Sequence, residues 1–253
     1  MRNVWTLFAR ELLAYFTSPV GWVIAVMFYL FRGYEVSKQI YIMAKAQWDL
    51  ELFTRAYVQL PSSYLVFVLV PPILTMRTFA EEKRTGSIEL LMTAPVRDHE
   101  VVLGKFLAAW AYFVVLWLPT FLVLGILQGS LFLNAPIELG PVAFGYVGLV
   151  AVGSLFLSVG LFTSSLTENQ LLASLSSMIF NYMLLVVPGY LAQGDEPLTG
   201  VVGALIGQIN IMEHLGGWFF RGLIASEHLV FYATSAALFL FLTTRSVESR
   251  KWR

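Results

Sequence analysis

Chemistry in this 253-residue chain would have to come from three histidines and sixteen carboxylates, because cysteine is absent. Disulfides, thiolate metal sites, a catalytic cysteine and a cysteine-linked lipid are therefore excluded. His99, His214 and His228 fall in loops or at a helix end, with no G-x-S-x-G elbow and no H-E-x-x-H helix. A phosphate cradle is missing as well: Gly104-Lys105 runs into Phe106, with no glycine five residues earlier. If nucleotide powers this protein, another chain must bind it. The densest polar stretch is Arg77–Lys105, which holds five basic and five acidic residues.

The elements that position this stretch follow from composition. Hydrophobic residues make up 58% of the chain and charged residues 13%, with a mean hydropathy of +0.73. Sixteen basic and sixteen acidic residues leave a formal net charge of zero. Disorder is excluded, and so is a basic surplus for nucleic acid. All 32 charges lie outside six windows: Leu12–Phe31, Ala56–Met76, Phe106–Ile137, Leu139–Thr167, Asn169–Gly194 and Leu229–Thr244. A spanning helix needs roughly 20 apolar residues. The fold expected is an all-α integral membrane protein with six transmembrane helices, residues 1–253 forming a single transmembrane domain.

Three smaller features complete this architecture. Val4, Trp5, Phe8, Leu12 and Phe16 recur at helical spacing among polar residues, which suits an N-terminal interfacial amphipathic helix; the alternative is an extension of the first span. Pro19 marks the turn into the bilayer. Pro197–Met212 is short and broken by Gly200, Gly203 and Gly207, and fits an external re-entrant segment before the sixth span. No cleavable signal peptide is expected, since Arg10 and Glu11 interrupt the N-terminus.

Six spans place both termini on one side. Cytoplasmic termini give eleven basic residues inside against five outside, so that orientation is expected. The zero net charge then resolves into +3 inside and −3 outside. The middle of each span carries no ionisable group, which speaks against an ion-coupled transporter, a channel or a voltage sensor. A metal site would need histidines to converge from different sides of the membrane. Small residues in the fourth and fifth spans, including Gly148, Gly153 and Gly160, suit close helix packing; a flexible or pore-lining face is the alternative.

Within the charged loop, the second span runs on through Arg77 and Glu82 to Gly86, a weak helix former. Ser87 then suits the N-cap of a short helix, with Glu89 in its first turn and Pro95 after its end. Ile88, Leu91 and Met92 share one apolar face, which would enter lipid or a groove on a partner. Mixed signs at Glu81, Glu82, Lys83 and Arg84 would set the register of docking.

The run VPPILTMRTFAEEKRTGSIELLMTAPV (Val70–Val96) resembles the segment after the second span in permease subunits of ABC-2-type ATP-binding-cassette transporters. RELLAYFTSPVGW (Arg10–Trp22), GLFTSSLTENQ (Gly160–Gln170) and HLGGWFFRGLI (His214–Ile224) are similar to three further family segments, so the likeness covers nearly the whole chain. Within the family, the chain most resembles the GldF-type permease associated with bacterial gliding motility.

The resemblance implies an exporter permease in the bacterial inner (cytoplasmic) membrane, dimerised with a second permease copy and bound to a cytoplasmic ATPase subunit. ATP and magnesium would belong to that partner; the chain itself is expected to hold no cofactor or metal and to do no bond chemistry. Glu81–Met92 would be the coupling helix between spans 2 and 3. Thr163, Glu168, Asn169 and Gln170 would form a second cytoplasmic contact. His214, Arg221 and Gly222 would belong to the external motif, where Ala225 and His228 replace the family's usual acidic residue. GldF-type permeases further imply an auxiliary membrane subunit with a large external domain, docked on the loops Gly33–Leu60 and Gln193–Glu227. That association keeps a mechanical or scaffold role, moving an external partner and no substrate, as the alternative function. Reversing Glu81 and Glu82 is expected to detach the ATPase and leave the membrane fold intact.

Overall fold

The computed structural model describes residues 2–46, 61–87, 96–127, 139–192 and 200–249, and these form helices and turns without a strand. In chain order the helices are α1 (Arg2–Thr17), α2 (Pro19–Ala46), α3 (Pro61–Thr75), α4 (Ala80–Arg84), α5 (Asp98–Leu127), α6 (Leu139–Leu166), α7 (Gln170–Ala192), α8 (Gly200–Ile209) and α9 (Ser226–Glu248). Between α8 and α9 the chain runs through Ile211–Glu213, a π-helical turn at His214–Trp218 and a 3₁₀ turn at Phe219–Arg221. Among the described residues five helices are long and apolar enough to cross a membrane: Tyr64–Arg84, Asp98–Ile126, Gly140–Leu166, Gln170–Ala192 and Ser226–Glu248. The pair Asn3–Thr17 and Pro19–Ile42, bent by 67°, is a sixth where its two halves are counted as one span.

The bend falls where proline requires it. Pro19 has no amide hydrogen, so it starts α2 more readily than it continues α1. The Tyr112 hydroxyl donates to the Gly21 carbonyl at 2.7 Å and fixes the start of α2 to α5. Behind the bend α1 lies along α5, with Leu7 packed against Gly104. Trp5, Leu13 and Phe16 stay exposed on its other side.

The first span was expected to end at Phe31, yet α2 continues through Gly33 to Ala46. One glycine costs a helix only about 1 kcal/mol relative to alanine, which tertiary packing overrides. The loop expected at 33–60 is thus helical through Ala46; Gln47–Leu60 lie outside the described residues. In consequence Arg32 and Glu35 are helical, and Arg32 stands about 20 Å along the axis from Pro19. Its guanidinium is buried 5.2 Å from the centre of the Trp117 ring. A cation on an aromatic face retains part of the stabilisation it loses with water.

Helix α6 is the axis of the bundle and is packed by α3, α5, α7, α9 and the 3₁₀ turn. It is apolar all round and buried over most of its surface, with Ala143 and Val147 left exposed on one side. Leu149, Val152, Phe156, Leu157, Val159 and Leu161 are fully buried. Its glycines are the points of closest approach: a Cβ at Gly148 would lie 2.6 Å from Phe219 Cγ, and one at Gly153 or Gly160 would overlap Phe113 or Thr75. At these three positions the small side chains serve packing. Trp117 anchors an aromatic cluster beside α6, with Phe28, Phe67, Phe113 and Tyr146 between 5.2 and 6.5 Å away.

Gly148→Ala should therefore destabilise the protein by about 1–3 kcal/mol, because the root of the Phe219 side chain has nowhere to move. Gly125→Ala, which meets nothing within 4 Å, should leave the thermal unfolding midpoint in lipid nanodiscs unchanged or slightly raised. Equal midpoints for the two variants would contradict the packing described.

Candidate functional site

The charged stretch takes its shape from the end of the second span. Pro71 and Pro72 lie inside α3, and the Thr75 hydroxyl bonds back to the Pro71 carbonyl at 2.7 Å. After Thr75 the chain makes an elbow at Met76–Phe79 before α4 begins. The elbow has no capping side chain of its own, and the cap comes from α6. Ser164 Oγ accepts from the amides of Phe79 and Ala80, both at 3.1 Å, and donates to the Met76 carbonyl at 3.2 Å. One hydroxyl thus satisfies two helix-start amides that would otherwise be buried without partners.

Lys105 supplies the second restraint. Its side chain is 1% exposed, and its ammonium donates to Glu82 Oε1 at 2.7 Å, Glu11 Oε1 at 3.3 Å and the Thr78 carbonyl at 3.1 Å. It also sits 5.3 Å from the Phe79 ring centre. All three of its N–H donors are used, so α1, the elbow, α4 and α5 meet at one charge. Glu11 also pairs with Arg10, at 2.8 Å. Lys83 turns inward too, donating to the Ser165 carbonyl, which also accepts from Ser246 Oγ at 3.1 Å. Arg77 and Glu81 pair one helical turn apart at 2.7 and 3.1 Å.

What remains at the surface is the tip. Arg84, Thr85, Gly86 and Ser87 are exposed. Gly86 ends α4 with φ +71°, a left-handed conformation that costs other residues about 1–2 kcal/mol. Ser87 Oγ is 2.9 Å from Thr85 Oγ1. The short helix expected after Ser87, with Ile88, Glu89, Leu91 and Met92, lies outside the described residues. Arg84 shares a cavity of about 440 Å³ with Glu168, Asn169, Gln170 and Leu171. Asn169 caps α7 by accepting from the Leu171 amide at 2.9 Å. The two stretches expected to contact a partner are thus brought side by side. Thr163 is the exception, being buried and bonded to the Gly160 carbonyl at 3.0 Å.

The acidic pair also behaves differently from expectation. Glu82 neutralises Lys105 and Glu81 neutralises Arg77, so reversing both would disrupt the elbow itself and could not leave the fold untouched. Spacing missed Lys105, Glu11 and Ser164 as structural partners. The available signals were Gly104, whose missing Cβ lets Leu7 of α1 approach, and the serine pair in GLFTSSLTENQ.

At the opposite end, the irregular run before α9 is packed inward. His214 is buried, stacked on His228 at 3.9 Å between ring centres and 3.0 Å from the Tyr232 hydroxyl. These two histidines meet because the π turn folds His214 onto the start of α9. No cluster of three or more metal-ligating side chains forms among the described residues. Gly222 has φ +79°, and its Cα faces Pro141 so closely that a Cβ would lie 3.3 Å from the proline ring. Arg221 beside it is exposed.

A family model described as "ABC-2 family transporter protein" matches residues 5–244. No curated protein matches the chain.

Lys105→Met should cost about 3 kcal/mol by leaving Glu82 partly buried without a counter-charge, and adding Glu82→Gln should recover part of that loss. Arg245→Met removes an exposed pair with Glu248 and should cost less than about 1 kcal/mol. Thermal unfolding of the three variants checks this, and equal costs for Lys105 and Arg245 would contradict the buried hub.

Proposed function

Because the chain belongs to the ABC-2 family of transporter proteins, we propose that it is the permease subunit of an exporter powered by a separate cytoplasmic ATPase. The exposed tip Arg84–Ser87 and the Glu168–Leu171 loop would form the docking surface, with the residues after Ser87 as the coupling helix. The observation that carries this reading is their shared cavity at the bundle end where both α1 and the last turns of α9 lie. The excess of basic residues on that side makes it the cytoplasmic side. ATP-driven closure of the partner would push on the tip. Ser164 and Lys105 would pass that push to α6, α5 and α1 as a rigid-body shift, because the elbow is tied to all three.

The permease would work in the bacterial inner membrane as a dimer with a second permease copy. Its GldF-type likeness adds an auxiliary subunit with an external domain. The run from Gly200 to Gly222 would be the re-entrant segment on the external side, held by Gly222 against Pro141.

Arg84→Glu and Glu168→Lys, each at an exposed position, should reduce co-purification of the ATP-binding subunit by about tenfold or more while leaving the unfolding midpoint unchanged. If both variants retain the ATPase and its parental hydrolysis rate, the docking surface is elsewhere. ATPase stimulation by a transported substrate marks export; stimulation by the auxiliary subunit alone would replace export with the mechanical role.

A further inference from the structure

Two cavities share a wall where α1 bends into α2. The first, about 250 Å³, is polar on one side, where Glu11, Arg77, Glu82 and Lys105 line it, and apolar on the other, at Val20, Ile24 and Ile73. The second, also about 250 Å³, is a groove between α2 and α3 with an apolar lining throughout. Val20, Ile24 and Ile73 belong to both. The groove opens outward past Val23 and Met27, each more than half exposed. One molecule with a charged head and an apolar tail would fill the pair. The exposed Trp5 and Leu13 of α1 mark this end as a membrane interface, where such molecules are the solvent.

The chemistry of the polar side selects the head. Glu11, Glu81 and Glu82 line it against Arg77 and Lys105, and Arg10 pairs with Glu11 from outside the lining, so the cluster balances at zero. Lys105 has no N–H left to give. Glu82 Oε2 is buried with no hydrogen-bond partner among the described residues, an arrangement that costs free energy until a donor arrives. Arg77 uses Nε and one Nη on Glu81, and its other Nη stands outside that pair. The site therefore asks for a cationic N–H donor joined to an anion. A primary ammonium on a phosphodiester supplies both. A choline head has no N–H, and a purely anionic head brings no cation to the Glu82 carboxylate.

We propose that the chain binds one phosphatidylethanolamine-type phospholipid at the α1–α2 bend, with its ammonium on Glu82 Oε2, its phosphate at Arg77 and one acyl chain along the α2–α3 groove. The lipid would fill the space between the α1–α2 bend and the elbow. This inference rests on the fold alone and stands or falls apart from the assignment of an ATPase partner.

Native mass spectrometry of the full chain, released from nanodiscs of phosphatidylethanolamine, phosphatidylcholine and phosphatidylglycerol in equal parts, tests it. Phosphatidylethanolamine should be retained about tenfold over phosphatidylcholine, the value of one charge-assisted hydrogen bond. Val23→Trp, at the exposed mouth of the groove, and Ile73→Trp, in the shared wall, should each abolish that retention. Glu82→Gln should remove the preference between ethanolamine and choline heads, and Arg77→Gln should lower retention of both. Val23→Trp keeps the test decisive if a buried variant fails to fold. Equal retention of the two heads by the parent chain, or unchanged retention in Val23→Trp, overturns the site.

Discussion

A buried ammonium must be neutralised and given three acceptors, and that requirement at Lys105 organises the working end of this protein. Its partners come from α1, the elbow and α4, none of them adjacent to it in sequence. Each would be loosely held alone: α4 has only five residues, and α1 touches the bundle along one side. Short helices are marginal in water, so their placement depends on tertiary ties of this kind. Ser164 adds a second, uncharged tie from α6 to the same elbow. The elbow is therefore tied to the bundle at two points.

The axis of the bundle is set by a different constraint. In a bilayer, helices gain little from burying apolar surface against one another, so close packing and interhelical hydrogen bonds must hold them. Gly148, Gly153 and Gly160 supply the first, and the Tyr112–Gly21 and Tyr15–Leu74 hydroxyl bonds supply the second. The glycines lie on α6, the hydroxyl bonds join α5 to α2 and α1 to α3, and α7 carries lipid-exposed surface at Leu171, Leu175 and Ile179.

Much of this was legible in the residues. Charge-free windows found the spans, Pro19 the bend, Gly86 the end of α4 and the glycines of α6 the packing. Windows fail where a charge is buried by a partner that sequence spacing does not reveal. Arg32 reads as a loop residue until Trp117 is found beneath it, and Lys105 reads as a boundary until Glu11 and Glu82 arrive. The stacked histidines were hidden for a related reason, since π and 3₁₀ turns have no 3.6-residue period to detect. Glu81 and Glu82 looked like docking charges because spacing shows sign and not partner.

The absence of cysteine from the natural sequence gives a direct test of the central claim, that the tip beyond α4 meets a cytoplasmic ATP-binding subunit. A single cysteine at Ser87, and a control at Leu205 on α8, would be cross-linked in native membranes with a bifunctional thiol–amine reagent and the products identified by mass spectrometry. The account predicts an ATP-binding protein joined to the Ser87 position and not to Leu205, with a yield that changes between ATP and ADP. Labelling of the Ser87 cysteine by an impermeant reagent added outside intact cells, with no ATP-binding protein in the cross-linked product, would contradict it.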